Sequence, residues 1–177
     1  MLIWAKRKLC LVILAAVVLA MVVQSIFAFT NFGESSADRT NVQAAMTDFL
    51  SNLHWSEVSM KRYGYVNGKA TMMNSTYIKS TLSESAGVLS GLYPYLYMKY
   101  GKKDISYLAF LFTVASNMIP PNNVRQLSAK NLNEIDTWLA FCYNIIIPHK
   151  SDLAQGLASN VGVIIRRAPK VLTSQFG

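Results

Sequence analysis

Cysteine occurs twice in this chain, histidine twice, and charged residues make up only 15% of it. Each scarcity excludes something. Cys10 and Cys142 stand far apart, and Cys10 sits inside an apolar run, so no disulfide framework staples the fold. Arg7-Lys8-Leu9, just before Cys10, lacks the small side chains of a lipoprotein signal. His54 and His149 have no patterned acids or cysteines beside them, and a metal site needs several ligands converging. Cys142, within WLAFCYNIII, reads as a small buried hydrophobe rather than a nucleophile. His149 follows Pro148 at a helix end, where an imidazole suits the carbonyl pole of the dipole. Phosphate loops and dinucleotide glycine fingerprints are missing. The sequence thus indicates no catalytic residue, no metal, no cofactor and no small-molecule ligand.

The shortage of charge is marked against the roughly 25% of ordinary soluble domains. Few charges leave less surface that is comfortable in water, which fits a chain partly covered by a membrane or a partner. The net charge of +8 includes Lys6, Arg7 and Lys8, all ahead of the apolar run. The later basic residues come as scattered doublets: Lys61-Arg62, Lys102-Lys103 and Arg166-Arg167. A nucleic-acid binder concentrates such charge on one face with interleaved aromatics, so no nucleic-acid partner is expected.

What is present is first of all the segment Leu9 to Phe29, apolar behind a basic start. That order is the pattern of a secretory signal, and Ile26-Phe27-Ala28 offers a cleavage point after Ala28. Left uncut, residues 9–29 supply about 20 residues, enough to cross the hydrocarbon core of a bilayer. Both outcomes put the basic start inside and the bulk of the chain outside the cytoplasm. The expected location is the bacterial periplasm or the cytoplasmic membrane. Residues 1–28 are read as a signal peptide or anchor, 29–41 as a linker, 42–169 as a helical domain and 170–177 as a tail.

Within the domain the patterning predicts an all-α bundle of about five helices. Ser36 or Asp38 can cap a helix whose apolar face is Val42, Met46, Phe49, Leu50 and Leu53, fading near His54-Trp55. Asn67-Gly68, between short runs containing Tyr63, Tyr65, Val66 and Thr71, signals a short β-hairpin or a plain loop. Asn74 or Ser75 can cap a second helix carrying Ile78, Leu82, Ala86 and Leu89, which Pro94 should kink or end. Asp104 can cap Ile105–Ile119, apolar nearly all round and therefore a helix that something must surround. Asn122 or Asn123 opens a helix with Val124, Leu127, Ile135, Trp138, Leu139, Cys142, Ile145 and Ile146 on one face, stopped by Pro148. Ser151 or Asp152 caps the last, with Leu153, Leu157, Val161, Ile164 and Ala168 aligned before Pro169.

Candidate contact residues follow from that layout. Tyr93, Tyr95, Tyr97 and Tyr100 surround Pro94 beside a basic cluster, as tyrosines do in the interfacial belt of a membrane or in a packed aromatic corner. Asn131 interrupts an apolar helix face, as a buried Asn does when it sets a pairing register. Trp138 lies on the same face. The primary reading is a non-enzymatic exported or membrane-anchored envelope protein that acts by association. Its partner would be another envelope protein or a second copy, with the bilayer engaged through residues 9–29. Accessory subunits of secretion, conjugation or phage-related systems, and immunity or exclusion proteins, belong to this class. A second reading makes Ala86–Met98 and Ile105–Ile119 a hairpin of a small multi-pass protein, part of a channel or translocation complex, with KYGKKD as its cytoplasmic loop and Trp138–Ile147 a further short segment.

A third reading starts from Glu84-Ser85 followed by AGVLSGLYPY. This short stretch resembles the Glu-Ser pair and later Gly-Leu pair of lysozyme-like lytic transglycosylases. The resemblance implies a half-buried Glu84 serving as general acid on peptidoglycan. The competing account is a solvent-facing glutamate one turn from Lys79 or Ser80.

Overall fold

The computed structural model describes residues 36–65, 72–119 and 128–174. The apolar segment 9–29, the Asn67-Gly68 turn and the Asn122-Asn123 helix start lie outside them. Thr40–Gly177 forms one compact unit, and of Met1–Arg39 only the first turn of a helix is described. The described chain is α-helical, with no strand in it: α1 Ser36–Tyr65, α2 Met72–Tyr100, α3 Asp104–Met118, α4 Ala129–Ile146, α5 Leu153–Arg166 and α6 Lys170–Thr173. A 3-10 turn, Ile147–His149, joins α4 to α5.

Helix α1 does not fade at Trp55. Met46, Phe49, Leu53, Ser56 and Met60 recur at three- and four-residue steps, and all are buried. Ser56 hides this period in the sequence because it is polar. Its hydroxyl is satisfied across the interface by Thr81 Oγ1 of α2 at 2.7 Å, while Thr81 itself donates to the carbonyls of Tyr77 and Ile78. The expected hairpin is corrected by the same extension. Tyr63 and Tyr65, the residues of its first strand, lie in α1, and α2 begins at Met72. A helix that continues a buried face is favoured over an isolated two-stranded hairpin, which is marginal in water.

The polar bridge gives a testable cost. Thr81→Val removes the partner of a fully buried Ser56 and should destabilise the fold by about 1–3 kcal/mol. Adding Ser56→Ala should recover most of that loss, because both halves of the bond are then gone. Urea titration of the two singles and the double reads the coupling; strictly additive losses would refute it.

Helix α2 runs through Pro94 to Tyr100, so the expected stop is also corrected. Pro94 and Ser90, whose carbonyl loses its helical donor, both face solvent, and water can take the missing bond. Leu89, Leu92 and Leu96 on the opposite face are buried and hold the helix together across the proline. The stop comes at Gly101, whose positive φ of 67° only glycine adopts cheaply and whose N–H reaches Tyr97 O at 2.8 Å. Asn74 and Ser75 fall inside α2 rather than capping it.

Helix α3 is the centre of the bundle. Eight of its side chains are buried: Ile105, Leu108, Ala109, Leu111, Phe112, Val114, Ala115 and Ser116. It lies antiparallel to α2, touches α5 and α6, and meets α1 through Phe49 and α4 through Trp138, both packed on Phe112. Ser116 Oγ donates to Lys79 O of α2 at 2.9 Å, which fixes the sliding register of the pair. Asp104 is the first residue of α3 and not its cap, so its carboxylate acts on the dipole of the first turn.

Helix α4 starts at Ala129, with Ser128 Oγ accepting from Asn131 N at 3.2 Å. Asp152 caps α5 as expected, accepting from Gln155 N at 2.9 Å. Beyond Pro169 the chain makes the single turn α6, and its Leu172 is fully buried.

Candidate functional site

Three places gather the chemistry of this surface. The first is a groove of about 420 Å³ between α1 and the corner where α4 enters the 3-10 turn. Leu50, Ile147 and Leu153 give it apolar walls, and Gln43, Ser51 and Lys150 a polar rim. Gln43 organises one end: its Nε2 donates to Lys150 O at 3.2 Å and its Oε1 accepts from Leu153 N at 3.4 Å. His54 closes the other, its ring 5.6 Å from that of Tyr143 and 5.7 Å from that of Trp55. Trp55 is 48% exposed.

The second lies next to it along α1. Glu57 is ion-paired with Lys61 and has His54 Nδ1 3.9 Å away. Asp136 of α4 belongs to this cluster electrostatically. Burial pushes its carboxyl above the usual range; Lys61 pulls it down and Glu57 pushes it up. Its Oδ1 is buried and accepts no hydrogen bond among the described residues. The folded protein therefore holds the Asp136 proton more tightly than the unfolded chain does. The charged form costs stability above the raised value, and the cost is relieved as pH falls through it toward the ordinary one. Asp136→Asn should raise the thermal midpoint at neutral pH, with the gain shrinking in mildly acidic buffer. A gain independent of pH would mean the carboxylate charge is not its source.

The third is the end of α2. Tyr93 and Tyr97 stack with ring centroids 5.8 Å apart. Lys99 Nζ donates to Tyr95 Oη at 2.9 Å and lies 5.3 and 5.5 Å from the ring centres of Tyr95 and Tyr100. Hydrogen bonding to Tyr95 is the main reason the Lys99 ammonium is held more firmly protonated than usual. Tyr100 Oη reaches across to Asp152 Oδ2 at 3.5 Å, and burial followed by the Asp152 charge pushes its phenol up.

The residues singled out from the sequence separate here. The four tyrosines do share one end of α2, with Tyr97 exposed and the other three half-buried. Asn131 is half-buried in the first turn of α4 and engaged through its backbone with the Ser128 cap. Trp138 is 2% exposed, and its Nε1 donates to Ile164 O at 3.0 Å, so it is a core residue. Among the described residues the tryptophan at the surface is Trp55, which sequence reasoning passed over because it ended the helix there. Carried one more turn, the spacing from Leu53 through Ser56 to Met60 leaves Trp55 off the buried face.

Glu84 is exposed and accepts a hydrogen bond from Ser80 Oγ at 2.9 Å on its own helix. That is not the half-buried setting the lytic transglycosylase resemblance implied. Cys142 is 1% exposed, and burial pushes its thiol far up, which leaves no thiolate for nucleophilic work. Among the described residues no helix is long and apolar enough to cross a membrane. Nor, among them, do three or more His, Cys, Asp or Glu side chains gather where they could hold a metal ion. No protein-family model, curated protein or solved structure matches the chain.

Proposed function

We propose that this protein is a non-enzymatic helical domain, exported or membrane-anchored through residues 9–29, that works by binding another envelope protein. The observation that carries the reading is Trp55. A tryptophan left half exposed beside an apolar groove forgoes the burial its size would reward, and tryptophan is the side chain most enriched at the energetic centre of protein interfaces. The groove walls Leu50, Ile147 and Leu153 offer a place for a partner's side chains, and the rim groups Gln43, Ser51 and Lys150 supply hydrogen bonds around it. Subunits of secretion, conjugation or phage-related assemblies and immunity proteins remain the class to which such a face belongs.

The test is affinity capture from solubilised envelope with the full chain and with Trp55→Ala. A specific protein captured by the first should bind the variant about tenfold or more weakly, while the far-UV spectrum stays the same. Equal capture by both would remove Trp55 and its groove from the interface.

A further inference from the structure

We propose that the end of the bundle built from the α2–α3 turn and the α4–α5 turn is a membrane-facing surface that engages anionic phospholipid headgroups. This goes beyond the proposed protein partner, which uses the face around Trp55 and shares Lys150 with this end; it rests on the anchored reading of residues 9–29 but not on that partner.

Side-chain bonds bring the pieces of this surface together. Gln43, three residues into the compact unit, holds Lys150 O and Leu153 N, so the chain enters the domain beside the α4–α5 turn. Tyr100 Oη, at the α2–α3 turn, holds Asp152 Oδ2 in that same turn. The point of entry and both turns therefore share one end. The chain from Phe29 to Thr40 spans at most about 35 Å, so an anchored 9–29 segment tethers this end near the bilayer rather than the opposite one.

Its composition suits a headgroup layer. Lys99, Lys103 and Lys150 are exposed and Lys102 half exposed, and none of the four forms an ion pair with a carboxylate among the described residues. Of the acids nearby, Asp152 accepts from Gln155 N and Tyr100 Oη, and Asp104 lies in the first turn of α3, whose dipole favours a negative charge. Just ahead of Lys99 on α2, Met98 is 66% exposed and Tyr97 41%. Lysines flanking a projecting apolar side chain and tyrosines are the combination that binds at the boundary of headgroups and acyl chains. Anionic lipid supplies the charge that the unpaired ammonium groups lack.

Amine footprinting of the full chain tests this without altering it. The protein is reconstituted in vesicles of phosphatidylcholine alone, or with roughly one third phosphatidylglycerol, and acylated briefly before mass spectrometry. Labelling of Lys99, Lys102, Lys103 and Lys150 should fall at least about threefold in the anionic vesicles and recover in high salt. Lys130, at the far end of α4 and about 25 Å away, should label equally in both. In the triple variant Lys99→Gln, Lys102→Gln, Lys103→Gln, Lys150 should lose its protection. Equal labelling of the four lysines in both vesicles, equal protection of Lys130, or Lys150 still protected in the triple variant would each overturn the proposal. None of these results depends on capture of a protein partner.

Discussion

Trp138→Ala should cost about 3–5 kcal/mol and lower the urea midpoint more than any surface change in this chain. The indole is buried, with its centroid 5.0 Å from Phe112 of α3 and its Nε1 donating to Ile164 O of α5. Phe112 in turn meets Phe49 of α1 edge to face at 5.6 Å. Truncation leaves a cavity against a ring that also supports α1, so the surrounding side chains can collapse into it only partly. Trp138→Phe isolates the polar part of the effect. It keeps most of the volume but withdraws the donor from Ile164 O. That carbonyl still accepts from Arg167 N at 3.2 Å in the last turn of α5, so it is not orphaned. The Phe variant should therefore lose about 1–2 kcal/mol, well short of the Ala variant. Equal losses would mean that the hydrogen bond, not the packing, carries the site.

Gly156→Ala should destabilise by about 1–3 kcal/mol, the opposite sign to the usual result of replacing a helical glycine. A Cβ at position 156 would stand 2.7 Å from His149 Cβ and 2.8 Å from His149 Cγ. His149 has little room to retreat. It follows Pro148 in the 3-10 turn, and its carbonyl accepts from Asp152 N at 2.9 Å. The closest atom is a Cβ, so the choice of second substitution is diagnostic. Gly156→Ala with His149→Ala keeps the Cβ–Cβ clash and should recover only part of the loss. Gly156→Ala with His149→Gly removes it and should recover most, less the backbone cost of the new glycine. Thermal melts of the two doubles against their singles read this directly. The same contact sets the position of Lys150, whose carbonyl Gln43 clasps, so Gly156→Ala should also disturb the groove beside Trp55.

Where sequence reading succeeded, the signal was local. The faces Ile78, Leu82, Ala86, Leu89 and Leu153, Leu157, Val161, Ile164 are buried as their spacing required. Asp152, one of the two caps offered before the last helix, accepts from Gln155 N. The misreadings share a cause. Ser56 and Pro94 look like breaks when each is judged by its own chemistry. In the fold, Ser56 finds Thr81 across the interface, and Pro94 sits where water can replace its missing donor. The surroundings, a neighbouring helix for Ser56 and solvent for Pro94, supply what each residue lacks.

The candidate site was legible only in part. Four tyrosines beside a lysine cluster could be seen in the chain. That Tyr100 reaches Asp152, and that Gln43 brings the entry of the domain to the same end, involves residues 52 and 107 positions apart. Trp138, expected as a contact residue, is buried, and Trp55, given no role by the sequence, is exposed, for the same reason. A tryptophan's exposure depends on whether another helix arrives to cover it, and Phe112 and Ile164 come to Trp138 but not to Trp55.

The sequence by itself determined the class: few charges, no ligand clusters and apolar spacings near 3.6 dictate packed helices, because only burial of those faces offsets the entropy of ordering the chain. The tertiary structure alone decided where the helices run and which face stays open. Continuation through Ser56, the central place of α3 and the joining of Lys150 and Asp152 to the tyrosine–lysine end depend on contacts between distant segments, which no local pattern encodes.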